Sequence, residues 1–122
     1  MTNPAMDITV DQSTSDTLLA LAMGDSSSLD EATGLREELR AESGLDQRTF
    51  ALVKIAALVA LDAPPASYVW QVKAALDAGA QPREILGVLT AVAPQAGLTR
   101  VVAAAPEIML ALGLDLPAGS TL

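Results

Sequence analysis

The stretch Leu45–Leu61 reads LDQRTFALVKIAALVAL, and it decides the fold. The carboxylate of Asp46 can accept hydrogen bonds from the free amides of a first helical turn. Leu45 can pack against Phe50 one turn further on. From Phe50 onward nearly every residue is apolar, so the helix has no polar side to present to water. We therefore expect a helix over residues 46–61 that is buried on every side, within a bundle or between subunits.

Lys54 is the exception in this apolar stretch. An ammonium ion in such surroundings extends to solvent, pairs with a carboxylate or loses its proton. Three interpretations stay open from the sequence: Lys54 lines a pocket, it reaches a surface or subunit boundary, or it belongs to a structural ion pair. It is the first candidate for a functional residue.

Composition favours one helical domain. The chain has 122 residues, of which 51% are hydrophobic and only 2% aromatic. The apolar residues are mainly Ala, Leu and Val, which favour close helix packing over an aromatic-rich sandwich of strands. Because the apolar share is high for a soluble domain, we expect part of the apolar surface to lie between subunits.

The net charge of −8 is concentrated at the N-terminal end. Residues 1–44 hold nine acidic and two basic residues, whereas residues 45–113 hold five of each. No basic patch interleaved with aromatic residues occurs, so nucleic acid is not expected as a partner. An acidic surface also repels anionic membranes, so no membrane partner is expected.

The chain contains neither cysteine nor histidine. This excludes disulfides, thiol redox chemistry, Cys/His zinc sites and a histidine base. We expect no metal site and no cofactor. No apolar run is long enough to cross a bilayer, and the N-terminus lacks the basic and apolar regions of a signal peptide, so a cytoplasmic protein is expected.

Five further helices are predicted by apolar spacing and by residues that start and stop helices. They span residues 15–23, 29–42, 65–78, 82–93 and 100–112. No strand-like alternation of useful length occurs, so the fold class is all-α, a compact bundle of about six helices in antiparallel hairpins. Residues 15–113 are expected to form the domain, between a loose arm (1–14, with a few extended residues from Met6 to Val10) and a tail (114–122).

Individual residues set some of these boundaries. Ser28 and Glu31 have the spacing of a capping box for the second helix, and Thr99 can cap the last one. Pro94 is expected to end the fifth helix. Pro106 is expected to kink or interrupt the last, since proline removes an amide from the helix ladder.

Four segments carry a recognisable order of motifs. They are LDQRT at 45–49, PASYVWQVKAALDAGA at 65–80, PREILGVL at 82–89 and APQAGLTR at 93–100. In this order and spacing the chain resembles the carboxymuconolactone decarboxylase and alkylhydroperoxidase D-like superfamily. The resemblance implies the helical fold of that superfamily, a homo-oligomer (homotrimer or homohexamer) and a pocket near residues 67–71.

The chain lacks the residues that carry out the redox chemistry of the superfamily. Redox members carry Cys-x-x-Cys-x-x-x-His and an upstream glutamate. The two cysteines align with Pro64 and Ser67, and the histidine aligns with Gln71. The glutamate aligns with Ala51 or Leu52. Every one of these redox residues is absent here. The decarboxylase branch lacks the cysteines but normally keeps a histidine at the Gln71 position. The resemblance therefore implies the scaffold and a pocket, without thiol peroxidase activity.

Lys54, Tyr68 and Gln71 are the candidate catalytic residues. Lys54 could serve as a base, as an amine nucleophile or, still protonated, as a clamp for a carboxylate or enolate. Tyr68 and Gln71 could donate hydrogen bonds to a developing oxyanion. Glutamine cannot titrate, so Gln71 can orient a substrate but cannot act as a general base.

Ser67, Trp70 and Arg100 are the candidate substrate-binding residues. The alternative for the whole cluster is core packing, with the polar ends of Tyr and Trp satisfied, a glutamine bonded across helices and an extended lysine. Arg48 and the Arg83–Glu84 pair are weaker candidates, since exposed ion pairs in first helical turns are usually surface contacts of small energy.

Two functions remain open from the sequence. One is a cofactor-free lyase or isomerase acting on a small carboxylated or lactone-like molecule. The other is a non-catalytic oligomeric binding or scaffold protein that kept the fold and lost the chemistry. A polar-lined cavity beside Lys54 would favour the enzyme, and a dry packed interior would favour the second function.

Overall fold

The protein is described from a computed structural model, which covers residues 2–3, 8–25, 27–29 and 36–118. The longer helices of this part are α1 (Gln12–Ala22), α2 (Arg36–Ser43), α3 (Gln47–Ala60), α4 (Pro65–Asp77), α5 (Pro82–Ala96) and α6 (Leu98–Ala111). Residues 27–29 are also helical. Two short strands, β1 (Thr2–Asn3) and β2 (Ile8–Thr9), pair in antiparallel register with Thr2 opposite Thr9. The predicted all-α class is confirmed.

The first helix begins three residues earlier than predicted, at Gln12. Asp11 caps it, because the Asp11 carboxylate accepts a hydrogen bond of 2.7 Å from the amide of Thr14. An aspartate at this position satisfies an amide that has no partner within the helix. The predicted capping box of the second helix involves Glu31, which lies outside the described residues.

The core is formed where α3 packs against α4 and α5 and where α6 packs against α4 and α5. Asp46 starts α3 as predicted, since its carboxylate accepts a bond of 2.7 Å from the amide of Thr49. The buried residues of the core are aliphatic apart from one tyrosine: Ala51, Ile55, Val59, Tyr68, Val72, Ala75, Ala80, Ile85, Leu89, Ala96, Ala104 and Ile108. Among the described helices, none is both long and apolar enough to cross a bilayer.

In the single chain, the central helix is not buried on every side. Ala51, Ile55 and Val59 of α3 are buried, whereas the side chain of Val53 is 52% exposed. Residues four apart lie on one face of a helix, and Val53 projects from the opposite side. The neighbouring helices cover the first face and leave an apolar face of α3 uncovered.

Pro94 does not end its helix as predicted, and Pro106 does not interrupt the last one. Pro94 lies inside α5, which continues to Ala96, and α6 continues through Pro106 without interruption. Each proline removes only one amide from the ladder. Buried residues on both sides of Pro106, such as Ala104 and Ile108, hold the helix in place. Helix α6 also starts at Leu98, so Thr99 lies within its first turn and is not its cap.

Candidate functional site

Two adjacent pockets share the face of α4 that carries Gln71 and Ala74. The tryptophan pocket has a volume of about 300 Å³ and is lined by Gly24, Asp25, Ser27, Leu58, Ser67, Trp70, Gln71 and Ala74. The lysine pocket has a volume of about 120 Å³ and is lined by Glu37, Arg40, Gln47, Phe50, Ala51, Lys54, Gln71 and Ala74. Since both lists contain Gln71 and Ala74, the two pockets meet along this face.

Helix α4 presents two different faces to its surroundings. Ser67, Trp70, Gln71 and Ala74 line the pockets, and they follow the helical spacing of three, four and seven residues from the first. This spacing places them on one side of the helix. Tyr68 lies on an adjacent face, which points into the core.

Lys54 lies on α3 beside Gln71, so the structure brings these two candidates to one pocket. The Lys54 side chain is half-buried, and its Nζ lies 4.7 Å from the centre of the Phe50 ring. A cation over an aromatic face is attracted by the ring. This contact holds the ammonium group at the pocket, and its three N–H donors allow it to bind a ligand oxygen beside its protein contacts.

Arg40 adds a second cation to the lysine pocket. Its Nε and Nη2 donate to Glu37 Oε1 at 2.9 and 2.7 Å, and its Nη1 donates to the carbonyl oxygen of Leu45 at 3.2 Å. The hydrogen bond from Arg40 lowers the pKa of the Glu37 carboxyl. Sequence reasoning missed both residues, although a Glu and an Arg three positions apart on a helix are a recognisable pair.

The end of α1 forms one wall of the tryptophan pocket. The indole Nε1 of Trp70 donates a hydrogen bond of 2.8 Å to the carbonyl oxygen of Met23. The next residue, Gly24, has φ +90°, and a Cβ built on it would lie 2.2 Å from the carbonyl oxygen of Ala66. Only glycine allows so close an approach with this backbone conformation. Helix α1 is therefore held against α4 at this point.

Asp25, the residue after Gly24, is a charged residue that lines the same pocket. Its Oδ1 accepts hydrogen bonds from the amide of Ser27, at 2.9 Å, and from the Ser27 hydroxyl. These bonds lower the pKa of the Asp25 carboxyl, first through the hydroxyl and then through the amide. The group is therefore ionised at neutral pH. No motif in the sequence pointed to Asp25.

Tyr68 and Arg100 line neither pocket. The Tyr68 side chain is only 2% exposed and belongs to the core. Burial raises the pKa of its phenol, and the nearby charges of Asp62 and Glu107 raise it further. Arg100 is exposed in the first turn of α6. Of the six candidates, the structure thus gathers Ser67, Trp70, Gln71 and Lys54 and places the other two elsewhere.

Arg48 and Glu84 form an ion pair between α3 and α5, with 2.7 Å between Arg48 Nη1 and Glu84 Oε2. Glu84 Oε1 also accepts a bond of 3.0 Å from the amide of Gln81, at the start of α5. Both contacts are structural, so this pair connects two helices without lining either pocket. Within the described part of the chain, no group of three or more acidic residues could hold a metal ion.

Comparison with known families places most of the chain in a family. The model of the carboxymuconolactone decarboxylase family matches residues 28–108, well over half of the chain. The match contains α3, α4 and α5 with the lysine pocket, while the α1 wall of the tryptophan pocket lies before it. No curated protein and no solved structure matches the chain.

Proposed function

Because the chain belongs to the carboxymuconolactone decarboxylase family, we propose that it is a cofactor-free lyase or isomerase acting on a small carboxylated or lactone-like molecule. The observation that carries this proposal is the lysine pocket. It gathers an ammonium group (Lys54), a guanidinium group (Arg40) and a side-chain amide (Gln71) around one small space. Such a set of N–H donors suits a carboxylate or an enolate oxygen.

Lys54 and Gln71 have separate tasks in this proposal. Protonated Lys54 holds the carboxylate of the substrate and stabilises negative charge that develops on a neighbouring oxygen. Gln71 lies between the two pockets and donates hydrogen bonds from its amide to the same oxygen. Because the glutamine amide cannot take up a proton, Gln71 orients the substrate, and Lys54 is the titratable group that can exchange a proton with it.

Thiol peroxidase chemistry has no nucleophile in this chain, which contains no cysteine. Ser67 and Gln71, which stand where redox members of the superfamily have a cysteine and the histidine, line the tryptophan pocket. Ala51, one of two positions aligned with the redox glutamate, lines the lysine pocket. The proposal therefore assigns a different, non-redox reaction to the same part of the scaffold.

A binding experiment with a matched lysine control tests the proposal. Lys54→Met removes the charge and keeps the aliphatic stem, whereas Lys73→Met removes an equal charge from an exposed lysine that pairs with Asp77 at 2.8 Å. In titrations with small carboxylates, we expect Lys54→Met to weaken binding at least about tenfold and Lys73→Met to leave it unchanged. Equal binding by all three proteins would contradict the proposal.

Turnover decides between an enzyme and a binding protein. Purified protein is incubated with small carboxylated lactones and keto acids, and proton NMR follows loss of carbon dioxide or movement of a double bond. Product that forms with wild type and not with Lys54→Met supports the enzyme. Lys54-dependent binding without any product supports the alternative, a non-catalytic oligomeric binding or scaffold protein.

We also propose that the protein assembles as a homotrimer or homohexamer. An apolar groove between α3 and α5 is lined by Leu52, Val53, Val88 and Val92 among others, and Val53 is 52% exposed. Apolar surface of this kind is typical of subunit contacts. Sedimentation velocity at micromolar concentration is expected to show an assembly, and Val53→Asp is expected to weaken it. A monodisperse wild-type monomer would contradict this proposal.

A further inference from the structure

The two pockets differ in the charges that line them. In the lysine pocket the described side chains include two cations, Lys54 and Arg40, and one carboxylate, Glu37. Among the described residues that line the tryptophan pocket, Asp25 is the charged one. One end of the combined site therefore attracts anions, and the other end repels them.

The volumes of the two pockets indicate which part of a ligand each pocket can hold. At about 120 Å³, the lysine pocket is smaller than the usual range for ligand sites, roughly 300–1,000 Å³. It can hold a functional group such as a carboxylate, but not a whole substrate. The remainder of a ligand anchored at Lys54 can extend past Gln71 and Ala74 into the tryptophan pocket of about 300 Å³, which shares these two lining residues.

Asp25 can accept a hydrogen bond from a ligand. A carboxylate offers about four acceptor positions, and the amide and hydroxyl of Ser27 both donate to one oxygen, Oδ1. The second oxygen, Oδ2, can accept a bond from a donor group in the tryptophan pocket. A hydroxyl at the far end of the ligand would supply such a donor, and its bond to an ionised acceptor would be strong.

From these observations, and resting on the proposed function, we infer that the substrate is a monocarboxylate with a hydrogen-bond donor such as a hydroxyl at its far end. The carboxylate binds at Lys54 and the donor binds at Asp25. A dicarboxylate of the same length is rejected because its second carboxylate would lie beside that of Asp25. Asp25 precedes the residues matched by the family, so this selectivity arises from the chain's own N-terminal segment.

Matched pairs of small molecules test this inference. The probes are ω-hydroxyalkanoates and α,ω-dicarboxylates of equal carbon number, titrated at neutral pH across a series of lengths. Trp70 is the only tryptophan in the chain and lines the pocket, so its emission reports binding without interference from aliphatic probes. Isothermal titration confirms the dissociation constants. For the length that binds best, we expect the hydroxy acid to bind about tenfold more tightly than the dicarboxylate.

Two variants assign the preference to Asp25. Asp25→Asn removes the charge and keeps an oxygen for the bonds from Ser27, and it is expected to reduce the preference to less than about threefold, mainly by tightening dicarboxylate binding. Asp16→Asn is the control. It makes the same change of net charge on α1, where Asp16 is exposed and accepts a bond of 2.7 Å from Gln12. It should leave the preference unchanged.

The outcomes separate this inference from the proposed function. Dicarboxylates that bind as tightly as hydroxy acids, with binding that depends on Lys54, overturn the inference alone. An equal effect of Asp25→Asn and Asp16→Asn also overturns it, because overall charge would then explain the preference. Failure of every probe to bind, or binding that Lys54→Met does not weaken, overturns the inference and the proposed function together.

Discussion

Replacing Gly24 by alanine tests how the end of α1 is held against α4. The new Cβ would lie 2.2 Å from the carbonyl oxygen of Ala66 and 2.4 Å from Cδ1 of Trp70. The first neighbour is backbone and cannot rotate away. In addition, Gly24 has φ +90°, a conformation that disfavours any residue with a side chain, by roughly 1–2 kcal/mol.

The protein can relieve this strain by releasing α1. No residue of this helix is buried. Its docking rests in part on the hydrogen bond from Trp70 to Met23, for which a net stabilisation of about 0.5–1.5 kcal/mol is typical. The strain in Gly24→Ala exceeds this stabilisation, so α1 should detach. The free energy of unfolding should fall only by the docking free energy, about 1–2 kcal/mol.

Tryptophan fluorescence provides the assay, since Trp70 is the only tryptophan and its indole is 39% exposed with α1 in place. We expect the emission of Gly24→Ala to shift to longer wavelength and to be quenched more readily by acrylamide. Gly44→Ala is the matched control: its φ is +73°, and nothing lies within 4 Å of the added Cβ. It should lose about 1–2 kcal/mol of stability with unchanged emission. Unchanged emission in Gly24→Ala would refute the docking argument.

Three further predictions concern other parts of the chain. Lys54→Met should leave the free energy of unfolding unchanged or raise it, because the change removes the desolvation cost of a half-buried ammonium group, whereas a loss of roughly 3–5 kcal/mol in chemical denaturation would identify a structural ion pair instead. The bond from Thr49 lowers the pKa of the Asp46 carboxyl below its usual value of 3.8. The stability that Asp46 contributes should therefore be fully present above that value and be lost as the pH falls through the lower folded pKa. Unfolding curves of wild type and Asp46→Asn across acidic pH check this, and parallel curves would contradict it. Finally, protein cleared of contaminants should not turn over hydroperoxides with a dithiol reductant, and sustained turnover in a coupled assay would reveal an unexpected mechanism.

Helix boundaries that depend on nearby residues could be predicted well. Asp46 starts α3, and Pro65 and Pro82 occupy the first positions of α4 and α5, as their types indicate. These signals act on backbone groups within one turn. Pro94 does not end α5, and Pro106 does not interrupt α6, because a proline inside a helix removes only one hydrogen bond and the packing of the surrounding helix outweighs that loss.

The candidate site was predicted in part. The faces of α3 and α4 that carry Lys54 and Gln71 meet as expected for paired helices, and Ser67 and Trp70 lie on the same wall. Tyr68 lies three positions before Gln71, a spacing that also allows two residues to share one side of a helix, so helical spacing alone could not separate Tyr68 from the pockets. The packing of α3 and α6 against α4 decided that Tyr68 lies in the core.

The contribution of the N-terminal segment was not readable. The hydrogen bond between Trp70 and Met23 joins residues 47 positions apart, and no local pattern predicts such a contact. The same is true of Asp25 and Arg40, which reach the two pockets only because α1 and α2 lie beside the core.

The sequence by itself determined the all-α class, most helix ends, the family and the absence of thiol and imidazole chemistry. These depend on residue types and on interactions within one helical turn. Only the tertiary structure decided which polar groups share a pocket and which charges face each other across it. That choice depends on packing between segments far apart in the chain, because a helix sets the direction of its side chains while its neighbours set what those side chains meet.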